Sequence, residues 1–323
     1  MNVRLAAYKA IARPDYNLRL PQFYDQQVTG AIQQVTTGNL NLKNMEAWNY
    51  EVNMQLFSGT IGLISISAFD KKVENYIHVT NNINLGNEEF AALCSKYNMV
   101  FTNPTIQAAI SGGNGVRANI AYNDPDPSYV YGFEFEHQIN FGFLPGYLKN
   151  ITLSYNVSLT RSLTHIIYGV TKTTLKADSS RIAFSNPPRY NYSYSPSYFL
   201  TYITKENASE GQPNLYGNVA LGYDIGGFSA RLSFFYQDSY VRSYSVYDQS
   251  NIHVDPFFKM DLAIKQQITK MVSLFLNVNN LTDRSEKTTN ENAYSNANIN
   301  TWVNPDTEQL YGRTIDLGVR VSL

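Results

Sequence analysis

The chain has four histidines, His78, His137, His165 and His253, and no two of them stand at the spacing of metal ligands. Two pairings could set an acid beside an imidazole, His165 with Asp178 and His253 with Asp248. Converging at the rim of a small barrel, either pair would be acid–base machinery for hydrolysis. Asp124-Pro125-Asp126-Pro127 offers two carboxylates, which are hard ligands for calcium, but two prolines in four residues describe a solvated turn better. Gly112-Gly113-Asn114-Gly115 has no lysine after it, so it reads as a loop and not as a phosphate cradle. The single cysteine, Cys94, excludes an intramolecular disulfide and a multi-cysteine metal site, and reads as a small apolar residue packing a loop helix. No catalytic residue, metal ligand set or cofactor is expected from these residues.

Recognition is a better match to the residue types. The chain holds 25 tyrosines, many of them between the alternating segments described below. Tyrosine supplies stacking area and one hydrogen bond, which suits sugars or iron chelates. The expected ligand-binding set is Tyr24, Tyr97, Tyr194, Arg242, Tyr244, Asp248, Arg284 and Trp302.

The elements that would position this set show a period of two. In Pro213 to Tyr240, residues Leu215, Val219, Leu221 and Tyr223 fall on one face and Asn214, Asn218 and Asp224 on the other. Gly226-Gly227 supplies the positive φ angles of a tight hairpin turn. Phe228, Ala230, Leu232, Phe234 and Tyr236 then resume the apolar face. Strands of about a dozen residues exceed the usual five or six of a soluble sheet and suit a tilted strand crossing a bilayer. The same alternation recurs at Val3–Ile11, Trp48–Leu56, Ile64–Ala68 continuing to Ile77, Tyr129–Phe141, Ile151–Leu159, Phe258–Ile264, Val272–Val278 and Arg313–Leu323. Glu134 and Glu136 alternate with Phe133 and Phe135, a pattern ruinous in a dry core and acceptable on a wet inner wall. His137 falls awkwardly on the apolar face. Within residues 81–127, Phe90, Leu93, Cys94 and Tyr97 have the spacing of a short helix.

Composition agrees with strands in a membrane. Charged residues are 16% and mean hydropathy is −0.30, against about 25% charged in an average soluble chain. No apolar run approaches the roughly 18 residues of a membrane helix. A net charge of −1 gives no electrostatic case for nucleic acid. Connections alternate between short turns (58–60, 144–150, 226–227, 269–270) and long loops (13–45, 81–127, 162–212, 241–253, 282–310), as in outer-membrane barrels with short periplasmic turns and long extracellular loops. The N-terminal MNVRLAAYKAIARPDY has no apolar core of a secretion signal, so a barrel reading expects that the chain begins inside a longer protein or has lost its signal.

Six short segments, in order, resemble the TonB-dependent outer-membrane receptors. They are Arg13-Pro14-Asp15; the run from Gly38-Asn39 to Asn49-Tyr50-Glu51 (GNLNLKNMEAWNYE); Ala68-Phe69-Asp70-Lys71-Lys72; Tyr131-Gly132-Phe133-Glu134; Asn279-Asn280-Leu281-Thr282-Asp283; and Gly312-Arg313-Thr314. Departures are the missing proline beside Asn41-Leu42-Lys43 and the terminal Leu323, where such barrels usually end in an aromatic. The resemblance implies an all-β fold: an antiparallel transmembrane β-barrel, with residues 1–323 supplying about ten strands of the roughly 22 and the plug domain absent. It implies a nutrient-uptake receptor of the siderophore, cobalamin or oligosaccharide type. The implied partners are outer-membrane lipid, the N-terminal barrel half and plug of the same receptor, the energy-coupling TonB complex, and an extracellular small-molecule or oligosaccharide ligand. An autonomous small outer-membrane barrel, acting as pore or rim enzyme, and a soluble binding module stay open as alternatives.

Overall fold

The computed structural model describes residues 1–20, 23–26, 34–84, 88–102, 104, 107, 111, 117–181, 187–246, 251–292 and 302–322. In chain order the elements are β1 (Asn2–Ala12), α1 (Tyr16–Arg19), β2 (Phe23–Gln26), β3 (Gln34–Thr37), β4 (Met45–Ser58), β5 (Gly62–Glu74), β6 (Ile77–Asn84), α2 (Glu88–Lys96), β7 (Arg117–Asn123) and β8 (Ser128–Asn140). After a 3₁₀ turn (Gly146–Asn150) come β9 (Ile151–Arg181), β10 (Tyr190–Asn207), β11 (Leu215–Ile225), β12 (Phe228–Gln237), β13 (Tyr240–Ser243), β14 (Asn251–Val254), β15 (Phe257–Gln267), β16 (Val272–Asn279), β17 (Glu286–Asn292), β18 (Trp302–Gln309) and β19 (Thr314–Val321).

Ten of the strands form one antiparallel wall in the order β1-β4-β5-β8-β9-β11-β12-β15-β16-β19. Its register keeps like beside like. Ile139, Leu153, Leu221, Leu232, Leu262, Val278 and Ile315 are successive partners from β8 to β19. A parallel row runs through Val3, Met54, Ile66, Phe135, Val157, Gly217, Tyr236 and Phe258. One residue along, the partners are Arg4, Asn53, Ser67, Glu134, Ser158, Tyr216 and Gln237. A one-residue slip would exchange the two faces, so this agreement across many strands fixes the register.

The apolar face is not covered by protein. Leu221 is 48% exposed, Phe133 43% and Ile315 65%. Both buried apolar clusters draw their residues from outside the wall's apolar rows. A continuous apolar surface of this extent requires lipid. Aromatics mark its ends: Trp48 stacks on Tyr50 near Tyr131 at one end, and Phe141 packs on Phe143 at the other. The ten residue steps from Tyr131 to Phe141, tilted about 45°, span roughly 24 Å, close to the 25 Å apolar band of such barrels. Among the described residues no helix is long and apolar enough to cross a membrane; the crossing is made by strands. His137 fits this face because it sits at the short-turn end, with Nε2 2.9 Å from the Ile61 carbonyl and Nδ1 3.2 Å from the Tyr155 hydroxyl.

The structure corrects two strand boundaries. β5 does not run on to Ile77; Asn75 takes φ 55° and the chain leaves the wall. β9 does not stop near residue 160. It runs from Ile151 to Arg181, 31 residues in all and about 100 Å of extended chain, and β10 pairs with its outer part. The segment read as a loop over 162–212 is therefore mostly a two-stranded ribbon.

The short turns fit their residues. Gly226 and Gly227 have φ 53° and 85°. Gly62 has φ 79°, and a Cβ there would run into the Gln138 carbonyl oxygen, whereas nothing lies within 4 Å of one at Gly226. Gly226→Ala is expected to cost about 1–2 kcal/mol, the left-handed penalty alone. Gly62→Ala adds overpacking, for a total of roughly 2–5 kcal/mol. The midpoint of thermal unfolding of the assembled receptor in detergent should order the two variants in that way.

Candidate functional site

All five long connections rise from one end of the wall and build a layer above it. The first two contribute a four-stranded sheet, β2-β3-β7-β6, in which β3 and β7 are parallel; the last two contribute a second, β13-β14-β17-β18. The β9/β10 ribbon stands between them, and alternate residues of β9 serve opposite sides. Ile167 joins the cluster of Phe90, Leu93, Ile120 and Tyr122, while Ile166 and Tyr168 join Tyr244. The buried core of this chain thus lies in its loop layer. The helix expected from Phe90, Leu93, Cys94 and Tyr97 is α2 with the residue after it, and it packs against this ribbon.

The expected ligand residues separate into distinct environments. Tyr97 is buried, its ring edge-on to Tyr122 at 5.0 Å and its hydroxyl 2.9 Å from Thr204 Oγ1. Tyr244 is also buried; its hydroxyl donates to the Ala208 carbonyl at 2.9 Å and its N–H to Glu210 Oε1 at 3.0 Å. These two hold the layer together. Arg242 and Arg284 are exposed. Arg284 is pinned through its backbone, its N–H donating to Asn280 Oδ1 at 2.9 Å and its carbonyl accepting from Asn280 Nδ2 at 2.9 Å. It lines a cavity of about 320 Å³ with Asp255, Phe257, Asp283 and Lys287. Tyr24, Tyr194 and Trp302 are placed by backbone in β2, β10 and β18, opposite Thr36, Ala177 and Asn292. Asp248 lies outside the described residues. Tyr190 and Tyr192, on β10, are 50% and 66% exposed and offer further aromatic surface.

Below the layer the inner wall is wet and polar. Asn53 Nδ2 donates to Ser65 Oγ and Ser67 Oγ at 3.1 and 2.7 Å, and Gln138 Nε2 donates to Glu136 Oε1 at 2.6 Å. Glu134, Glu136, Asn156 and Ser158 share a cavity of about 410 Å³ with Asn53, Ser65 and Ser67. Towards the short-turn end, Arg231, Lys265 and Arg320 line another of about 370 Å³. Sequence inspection missed this basic group because its members lie far apart in the chain and meet only through the pairing of β12, β15, β16 and β19.

The proposed acid–base pairs fare differently. His165 does not meet Asp178, which lies thirteen residues further along β9, about 43 Å away in an extended strand. The acid that His165 meets is Asp124, with Nδ1 3.0 Å from Oδ2. Asp124 is not part of a plain solvated turn: its side chain is fully buried. His253 lies in β14, and its proposed partner Asp248 is outside the described residues.

Burial pushes the Cys94 thiol up to about 11. The thiolate is the reactive form, so a maleimide is expected to label Cys94 slowly at pH 8 and progressively faster towards pH 11. Labelling at pH 8 as fast as that of a free thiol would show that α2 is not packed.

Residues 2–281 match the family model described as TonB dependent receptor-like, beta-barrel. The chain belongs to the TonB-dependent receptors. A mutant of the ferric enterobactin receptor PfeA from Pseudomonas aeruginosa, in complex with enterobactin, is similar with a TM-score of 0.55 and 12% identity, over 99% of this chain and 38% of that one. The copper transporter OprC gives 0.53 at 14%, over 99% and 37%. The siderophore receptor PirA from Acinetobacter baumannii gives 0.52 at 13%, over 99% and 39%. At such identities the likeness is one of fold, and this chain spans less than two fifths of each of those structures. No curated protein matches by sequence. The TonB-dependent receptors are outer-membrane transport receptors and not enzymes, so the lipid facing Leu221 and Leu232 is that of the outer membrane.

Proposed function

We propose that residues 1–323 form the C-terminal part of the wall of a nutrient-uptake receptor, and that their loop layer captures an extracellular siderophore, cobalamin or oligosaccharide. The N-terminal part of the barrel and its plug complete the lumen, and the TonB complex drives release through the plug. This chain performs no covalent chemistry in that role. The observation that carries the reading is the segregation of the chain: tight turns at one end of a lipid-facing wall, and at the other a packed layer bearing exposed Tyr190, Tyr192, Arg242 and Arg284. Tyr97 and Tyr244 support capture by fixing that layer, while Trp302, Tyr24, Tyr194 and Asp248 supply contact surface with the exposed set.

Binding of ferric siderophores, cobalamin and oligosaccharides to cells bearing the assembled receptor tests this. One ligand class should bind, and Trp302→Ala or removal of residues 293–301 should weaken it about 5- to 30-fold, as losing a contact of roughly 1–2 kcal/mol does. Glu134→Gln, further down the inner wall, should change capture by less than about twofold, equivalent to under roughly 0.5 kcal/mol. Unchanged binding in every loop variant would overturn the reading. Hydrolysis of peptide or lipid that His253→Ala abolishes would replace it with a rim enzyme.

A further inference from the structure

The link between β7 and β8 gathers ligands of a different kind. Asp124 Oδ2 lies 3.2 Å from the His165 backbone nitrogen, which donates to it, and 3.0 Å from His165 Nδ1. Asp124 Oδ1 accepts from the Asp126 N–H at 3.0 Å. One ligand atom from each of Asp124, Asp126 and His165 can be chosen so that all lie within 4.8 Å of one another. On the other side of the ring, Glu206 Oε1 is 4.0 Å from His165 Nε2. Three carboxylates therefore surround one imidazole, and they come from the β7–β8 link and β10 while the imidazole comes from β9.

The burial of Asp124 is the second observation. Its side chain has no exposed surface, and among the described residues no lysine or arginine is ion-paired with it. A buried carboxylate is costly unless a cation or several donors compensate it. Here the fixed compensation is two backbone N–H groups and the ring of His165.

We propose that Asp124, Asp126 and His165, with Glu206 in reach, bind a first-row divalent transition-metal ion of the zinc class. An imidazole selects such ions over calcium and magnesium, which take oxygen ligands. With metal–ligand bonds of about 2.0–2.2 Å, neighbouring ligand atoms stand roughly 3.0–3.5 Å apart. The Asp124–His165 spacing meets that already, and exposed Asp126 reaches it by turning its side chain. Asp124 also donates its N–H to the Tyr76 carbonyl at 2.7 Å, at the foot of β6. A metal at this point fastens the β2-β3-β7-β6 sheet to the β9/β10 ribbon where both leave the wall. The proposal stands on this geometry and not on which nutrient is captured.

The test uses the assembled receptor, extracted from outer membranes in detergent, stripped with a chelator and titrated with Co²⁺ alone. One equivalent should bind with the visible absorption of nitrogen- and oxygen-ligated cobalt, and Zn²⁺ should displace it while Ca²⁺ at equal concentration should not. His165→Gln and Asp126→Asn should each weaken Co²⁺ binding about tenfold or more. Asp126 is exposed, so its variant keeps the fold, and hydrogen exchange of amides 117–123 should slow on adding metal to the parent but not to Asp126→Asn. Equal Co²⁺ binding in the parent and both variants, displacement by Ca²⁺, or no binding at millimolar metal would each overturn the site.

Discussion

Refolded by itself in detergent, this chain is expected to yield no heat-modifiable, protease-resistant barrel. Its wall ends at β1 and β19, which do not pair with each other. Lipid supplies no hydrogen bonds, and each unsatisfied backbone group there costs several kcal/mol. β1 has 11 residues and β19 has 8, so two edges would be left to solvate along their length. Closing ten strands on themselves would demand a tighter curvature than a wider barrel has, because diameter grows with strand number. Its shape is instead that of a sector of the wider barrels it matches over 99% of its length. Ten antiparallel strands leave β1 and β19 running in opposite directions, so any further strands that complete an all-antiparallel wall are even in number. Co-expression with such strands should restore a folded band that shifts on boiling. A compact resistant monomer from this chain alone would sink the expectation and favour an autonomous barrel.

The second large effect concerns the two faces of one strand. Leu232 lies mid-strand in β12, between Leu221 and Leu262 in the apolar row. Leu232→Arg should lower the equilibrium constant for assembly roughly 30- to 900-fold, the equivalent of the 2–4 kcal/mol that a cation costs at the bilayer midplane of a barrel. Ser233 is its neighbour on the inner face, opposite Asp261. Ser233→Arg should assemble almost normally, because its charge reaches water and an acidic side chain. Quantifying the folded band against denaturant concentration for the assembled receptor carrying each variant decides the matter. The reverse order would mean that the leucine row faces the interior of a soluble protein.

Much of the wall is legible in the sequence because its two faces meet two solvents. Lipid outside and water inside force Leu221, Leu232 and Leu262 to alternate with Ala220, Ser233 and Asp261, and that contrast survives in the order of residues alone. Gly226-Gly227 is readable for a local reason too, since only glycine accepts those φ angles cheaply. Beyond the membrane the contrast disappears. The outer part of β9 alternates little between apolar and polar residues, and only its pairing with β10 shows that it is a strand. The strands inside the other loops are hidden for a related reason. They are short, and they pair across long separations, as Gln34 does with Arg117 and Asn251 with Glu291. The same holds for side chains. Exposure of Arg242 and Arg284, burial of Tyr97 and Tyr244, and the meeting of Asp124 with His165 rather than Asp178 all depend on which loop crosses which. Local periodicity determined the wall; the packing of distant segments, which no local pattern encodes, decided the loop layer.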